Sequence, residues 1–142
     1  MEKHRLNILS AEDDLDDQLL IKQAIEESGI RASINFVSDG KSLLEKLTEL
    51  YGDDLPDILL LDLNMPIIDG LAVLKALRER DDLDDLPIII LTTSSDQKDI
   101  DRCYSLGVKS FFTKPSSFTE FVDVFKSLPE LKTVTPSRKK SG

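Results

Sequence analysis

Two short stretches of the chain contain no polar residue: Ile58-Leu59-Leu60-Leu61 and Ile88-Ile89-Ile90-Leu91. A run of four apolar side chains, bounded by loop-forming residues, suits an extended segment buried on both faces. Inner strands of a parallel sheet, covered by helices on either side, meet that condition. Both runs end in polar groups, Asp62 after the first and Thr92-Thr93 after the second. Asn64, Pro66, Asp69 and Gly70 then mark a loop behind Asp62. An acid at the carboxyl end of a buried parallel strand lies where open α/β sheets bind their ligands. Taken alone, Asp62 reads better as a solvated strand end.

The remaining segments alternate between the two periodicities. Leu6 to Ala11 predicts a first strand, followed at once by Glu12-Asp13-Asp14. Asp16 to Ser28 has helical spacing, with Leu19, Leu20, Ala24 and Ile25 forming its apolar stripe. Its acids cluster at the amino end, where the helix dipole favours them, and Gly29 is a stop. Ser33 to Val37 predicts a second strand and Lys41 to Leu50 a second helix, buried through Leu43, Leu44, Leu47 and Leu50. A third helix starts at Asp69 or Gly70 and buries Leu71, Val73, Leu74 and Leu77. Asp81-Asp82-Leu83-Asp84-Asp85 reads as a solvated connection. Asp96 to Leu106 is a more polar helix whose sizeable apolar groups are Ile100, Cys103, Tyr104 and Leu106, capped by Gly107. Val108 to Thr113 predicts a fifth strand, ending in Lys114-Pro115. Ser116 or Ser117 caps a last helix from Phe118 to Leu128, with Phe118, Phe121, Val122 and Phe125 facing the core. This assigns residues 1–128 to one domain. Pro129 to Gly142, ending its charged part in Arg138-Lys139-Lys140, reads as a flexible tail with no room for an effector domain.

Composition narrows the function. A chain of 142 residues, 40% hydrophobic, suits a single core without metal or disulfide staples. A net charge of -9, from 27 acids against 18 bases, argues against broad nucleic-acid binding, because phosphates need a positive face. Cys103 is the one cysteine and has no intrachain partner. No apolar run is long enough to span a bilayer or to form a signal-peptide core, so the cytoplasm is the default location. His4 reads as a solvated residue of the amino-terminal arm.

Five strand–helix alternations imply a parallel sheet with helices on both faces and right-handed crossovers. All strand carboxyl ends then share one edge. Glu12-Asp13, Asp62, Thr92 and Lys114 each fall at such an end, and this convergence reverses the reading of Asp62. Crowded carboxylates stay ionised when a cation compensates them. All-oxygen ligands suit magnesium, whereas no EF-hand series favours calcium and no His/Cys cluster favours zinc. A carboxylate can also act as a nucleophile and form an acyl phosphate. Asp62 would attack, Lys114 would pair with it and then with phosphate, and the Thr92 hydroxyl would donate to a phosphate oxygen.

From Leu6 to Leu128 the chain resembles the response-regulator receiver domains of two-component signalling. The resemblance rests on Glu12-Asp13, the run Leu-Leu-Leu-Asp62-Leu-Asn-Met-Pro-Ile-Ile-Asp-Gly, Thr92 and Lys114-Pro115. It implies a flavodoxin-like, doubly wound five-stranded parallel sheet in the order 2-1-3-4-5 with five helices. It makes Asp62 the phosphoacceptor, served by a sensor histidine kinase or a histidine phosphotransfer protein. Glu12, Asp13, Asp62 and the Asn64 carbonyl would hold Mg2+. Thr92 and Phe111 would be the switch pair, and the bond to Pro115 would be cis. The expected product is a signalling module, monomeric or weakly dimeric, that catalyses only its own phosphorylation and dephosphorylation. It would act on a downstream protein target, with neither nucleic acid nor membrane as partner. The Asp-Asp-Leu-Asp-Asp start of the first helix and the double threonine look like the small regulators that partner phytochrome-type or hybrid kinases.

The chain departs from the family pattern in places. The acidic pair is Glu-Asp, Asp14 offers a competing register, and Phe111 lacks a switch-tyrosine hydroxyl. Three other readings compete. A haloacid-dehalogenase-type aspartyl-phosphate phosphatase needs an acid where Asn64 stands. A flavodoxin-like nucleotide binder needs a glycine-rich loop where the acids follow Leu9. A degenerate receiver would serve only as a binding module.

Overall fold

The computed structural model describes residues 5–66 and 68–132. His4 and the basic residues Arg138, Lys139 and Lys140 lie outside them. The strands are β1 (Leu6–Ala11), β2 (Ala32–Val37), β3 (Ile58–Leu61), β4 (Ile88–Thr92) and β5 (Ser110–Thr113). The helices are α1 (Leu15–Ser28), α2 (Gly40–Thr48), α3 (Gly70–Arg78), α4 (Gln97–Ser105), α5 (Phe118–Lys126) and a short α6 (Leu128–Lys132). All strand pairs are parallel, in the order β2-β1-β3-β4-β5, so the flavodoxin-like doubly wound arrangement is the one observed.

The two apolar runs account for both layers of the core. Side chains alternate along a strand, so Leu59, Leu61, Ile88 and Ile90 meet Leu43, Leu47, Val73, Leu74, Leu77 and Cys103 of α2, α3 and α4. Ile58, Leu60, Ile89 and Leu91 face the opposite way, onto Ile21, Ala24, Ile25, Phe121 and Phe125 of α1 and α5. Burial, with Asp99 nearby, pushes the Cys103 thiol up to about 11, so it packs as a small neutral group. Among the described residues no helix is long and apolar enough to cross a membrane.

Each helix that follows a strand opens on a side-chain cap: Asp14, Asp39, Asp69, Asp96 and Ser117 accept from backbone N–H groups of the first turn. Several expectations need correction. Leu19 and Phe118 are exposed, because α1 turns Ile21, Ala24 and Ile25 to the sheet and α5 turns Phe121, Val122, Val124 and Phe125. Tyr104 is likewise half out of the core. In the acidic connection after α3 the aspartates are exposed, but Leu83 is fully buried in a 3-10 turn. Arg78 secures this end by donating to the carbonyls of Leu83, Leu106 and Gly107. Residues 129–132, read as tail, belong to α6, where Leu128 is fully buried and Leu131 packs against the α1–α5 core; the rest of the tail lies outside the described residues. Two apolar residues three positions apart suffice to hold that turn down.

Candidate functional site

The site is assembled by strands that stop together. β1 ends at Ala11, β3 at Leu61, β4 at Thr92 and β5 at Thr113. Backbone hydrogen bonds run one residue further: Glu12 N–H to Val37 O (2.9 Å), Asp62 N–H to Ala11 O (3.3 Å) and Lys114 N–H to Thr92 O (2.6 Å). Glu12, Asp62 and Lys114 are therefore held by the sheet itself, while their side chains stand at its edge.

Glu12, Asp62 and Thr92 are buried, at 2%, 4% and 0% exposure. The Lys114 side chain is 8% exposed and its ammonium reaches three carboxylates. The Nζ lies 2.7 Å from Glu12 Oε1, 2.7 Å from Asp17 Oδ2 and 3.1 Å from Asp62 Oδ2. The second Asp62 oxygen accepts from the Asn64 N–H at 3.0 Å. Glu12 accepts through Oε2 from the Asp14 N–H at 3.1 Å, and its carbonyl accepts from the Gln18 amide at 2.7 Å. The Asn64 amide donates to the hydroxyls of Thr92 (3.4 Å) and Thr93 (3.3 Å), joining the loops after β3 and β4.

Burial disfavours the charge on both key groups, with different outcomes. It pushes the Glu12 carboxyl above its ordinary value, against the opposing pull of the Lys114 hydrogen bond. Burial likewise works against the Lys114 ammonium, but Asp17, Glu12 and Asp62 outweigh it and hold the lysine protonated beyond the usual range.

Carboxylate oxygens of Glu12, Asp13 and Asp62 lie within 4.8 Å of one another. Four carboxylates, counting Asp17, against one ammonium leave excess negative charge, and Asp13 is exposed, so part of a hydration shell can remain on that side. An oxygen-only donor set of this kind fits a hard divalent cation. Asp14, the competing register, accepts through Oδ1 from the N–H groups of Asp16 (2.8 Å) and Asp17 (3.2 Å) as the α1 cap and is not among the three clustered acids.

Phe111 is half-buried against the α2–α4 side of the core, and its N–H donates to the Tyr104 hydroxyl at 3.2 Å. The cis bond before Pro115 is not observed; the described backbone contains no cis peptide bond. The trans form is the ordinary preference of an X–Pro bond by about 0.5–1 kcal/mol. Two site residues were not legible in the sequence. Asp17 reads as one more dipole acid, and the hint is its spacing of four and three residues from Asp13 and Asp14, about one helical turn. Gly70 looked like a helix start, yet a Cβ there would stand 2.5 Å from the Asp62 carbonyl oxygen and from Leu63 Cα.

Residues 8–126 match the family model for the response regulator receiver domain. The chain is 37% identical over 127 residues to the probable methanogenesis regulatory protein FilR2 of Methanothrix harundinacea, covering 88% of this chain and 80% of that protein. It is 30% identical over 133 residues to the response regulator Rcp1 of Synechocystis sp., covering 90% of each. The Mn2+-bound crystal structure of Rcp1 superposes with a TM-score of 0.78 at 29% identity, over 92% of this chain and 97% of that one. The phosphorylated cyanobacterial phytochrome response regulator RcpA superposes with a TM-score of 0.80 at 30% identity, over 93% and 98%.

Proposed function

The chain belongs to the response regulator receiver domain family, and on that premise we propose that Asp62 accepts a phosphoryl group and that this changes a protein-binding face. The observation carrying this reading is the meeting of the Glu12, Asp13 and Asp62 carboxylates with the Lys114 ammonium on one sheet edge. The donor is a phosphohistidine of a kinase or phosphotransfer protein. An Asp62 oxygen bonds to phosphorus as the phosphorus–nitrogen bond breaks. The electron pair leaves with the imidazole, which takes up a proton.

The sheet end holds the nucleophile, so the step draws mainly on alignment and charge compensation. Lys114 gives a charge-assisted hydrogen bond to Asp62 before transfer and to a phosphate oxygen afterwards. Mg2+, when bound, neutralises developing charge on the phosphoryl oxygens. Glu12, Asp13, Asp62 and the Asn64 carbonyl would hold it. Thr92, freed from the Asn64 amide, donates its hydroxyl to phosphate. Phe111 then repacks, and the face formed by α4, β5 and α5 shifts between two populations. The Tyr104–Phe111 hydrogen bond already joins α4 to β5. The Asn64 amide is too weak an acid to protonate a leaving group, which disfavours the phosphatase reading.

Incubation with phosphoramidate and magnesium is expected to add one phosphoryl group, read by intact mass. Asp62→Asn is expected to take up none; equal uptake by that variant would overturn the assignment. Asp13→Ala is expected to weaken magnesium binding about tenfold or more. Asp14→Ala should instead cost about 1 kcal/mol of stability as a lost cap, with affinity kept. Titration and urea unfolding separate the two, and exchanged phenotypes would move the metal ligand to Asp14.

A further inference from the structure

Asp16 and Asp17 share the first turn of α1 and feel the same helix dipole. They do different things. Asp16 is exposed, whereas Asp17 is half-buried and turns its carboxylate onto Lys114. The 2.7 Å contact to Asp17 equals the one to Glu12 and is shorter than the 3.1 Å contact to Asp62. An ammonium has three N–H donors, and here each has one carboxylate partner. Glu12 and Asp17 are thus the close anchors of Lys114, and Asp62 is its loosest partner.

We infer that Asp17 is a positioning residue for phosphoryl transfer: with Glu12 it keeps the Lys114 ammonium at a loose 3.1 Å hydrogen bond to Asp62, so that the nucleophile is oriented without being locked in a close ion pair. The inference rests on the proposed role of Asp62. Without the Asp17 charge, the released N–H of Lys114 has Asp62 and Glu12 as its remaining acceptors. The ammonium then closes onto Asp62, and the lone pair needed for attack is tied up in a tighter ion pair. The same anchoring keeps Lys114 in place when Asp62 becomes an acyl phosphate. Asp17 also links the start of α1 to the end of β5, so a partner pressing on that turn of α1 would move the lysine.

The test compares the full chain with Asp17→Asn, Asp17→Glu and Asp16→Asn. Phosphorylation by phosphoramidate with magnesium is followed by intact mass, since the chain has no tryptophan to report it by fluorescence. Asp17→Asn is expected to lower the maximal rate about fivefold, with half-saturating donor concentration changed less than about twofold. Asp17→Glu should recover most of the rate, and Asp16→Asn should leave both parameters as they are. A maximal rate unchanged in Asp17→Asn, or an equal loss in Asp16→Asn, overturns the inference. A second readout is independent of phosphorylation: the exchange of the Lys114 ammonium protons, observed by nitrogen-15 NMR. It is expected to quicken about fivefold or more in Asp17→Asn alone. If the parent chain takes up no phosphate, the role of Asp62 falls. The anchoring of Lys114 is then decided by this exchange, and unchanged exchange in Asp17→Asn rejects it.

Discussion

Gly70→Ala is expected to slow phosphorylation of Asp62 on the order of 100-fold while costing about 2–3 kcal/mol of stability. The alanine Cβ would lie 2.5 Å from the Asp62 carbonyl oxygen and 2.5 Å from Leu63 Cα. Both obstacles are backbone, so no side chain can swing aside. The clash can be relieved by moving α3 away from the end of β3, which breaks the Gly70 N–H bond to the Leu63 carbonyl (2.9 Å). It can also be relieved by moving the strand end that carries the nucleophile. Either way Asp62 loses its alignment with Lys114. Urea unfolding and the phosphorylation rate check the two halves separately. A variant with parental rate and stability would mean that the helix start yields freely, contrary to the packing described.

Lys114→Met, which keeps most of the length and removes the charge, is expected to cost about 3 kcal/mol at neutral pH, because breaking a buried pair strands its partners. Glu12 and Asp62 would face each other almost without solvent. The loss has a defined pH dependence. The folded Glu12 already binds its proton more tightly than an ordinary glutamate, since burial raises its pKa. Removing the lysine takes away the main opposing pull and raises it further. A raised acid pKa means that the folded state is disfavoured above that pKa and recovers as pH falls through it. The deficit relative to the parent should therefore shrink from pH 7 toward pH 5, and magnesium should shrink it at pH 7. A deficit that is flat with pH would show that carboxylate repulsion is not its origin.

The relation between sequence and site can be followed residue by residue. The ends of the four strands were legible because strand length and polarity change together there: apolar runs stop at Asp62 and Thr92, and acids follow Ala11. Helix faces were less so. Leu19 and Phe118 have the right chemistry for the core, but helical phase is set by which neighbours meet the sheet, and they lost to Ile21 and Val124. The competition between Asp13 and Asp14 was undecidable from spacing alone. A cap and a candidate metal ligand draw on the same residue type; in the fold Asp14 caps α1, while Asp13 stands with Glu12 and Asp62.

Local physics sufficed for the parallel sheet and the gathering of Glu12, Asp13, Asp62, Thr92 and Lys114 at one edge, whereas the strand order came from the family resemblance. Two-sided apolar strands in alternation with amphipathic helices have few other ways to hide their surface. The tertiary structure alone decided that Lys114 is shared with Asp17, that Gly70 packs on the backbone of Asp62, and that Leu128–Lys132 forms a sixth helix. Those are contacts between segments as many as 97 positions apart, as from Asp17 to Lys114. Their existence depends on how closely helices settle on the sheet, and no periodicity within one segment encodes that distance.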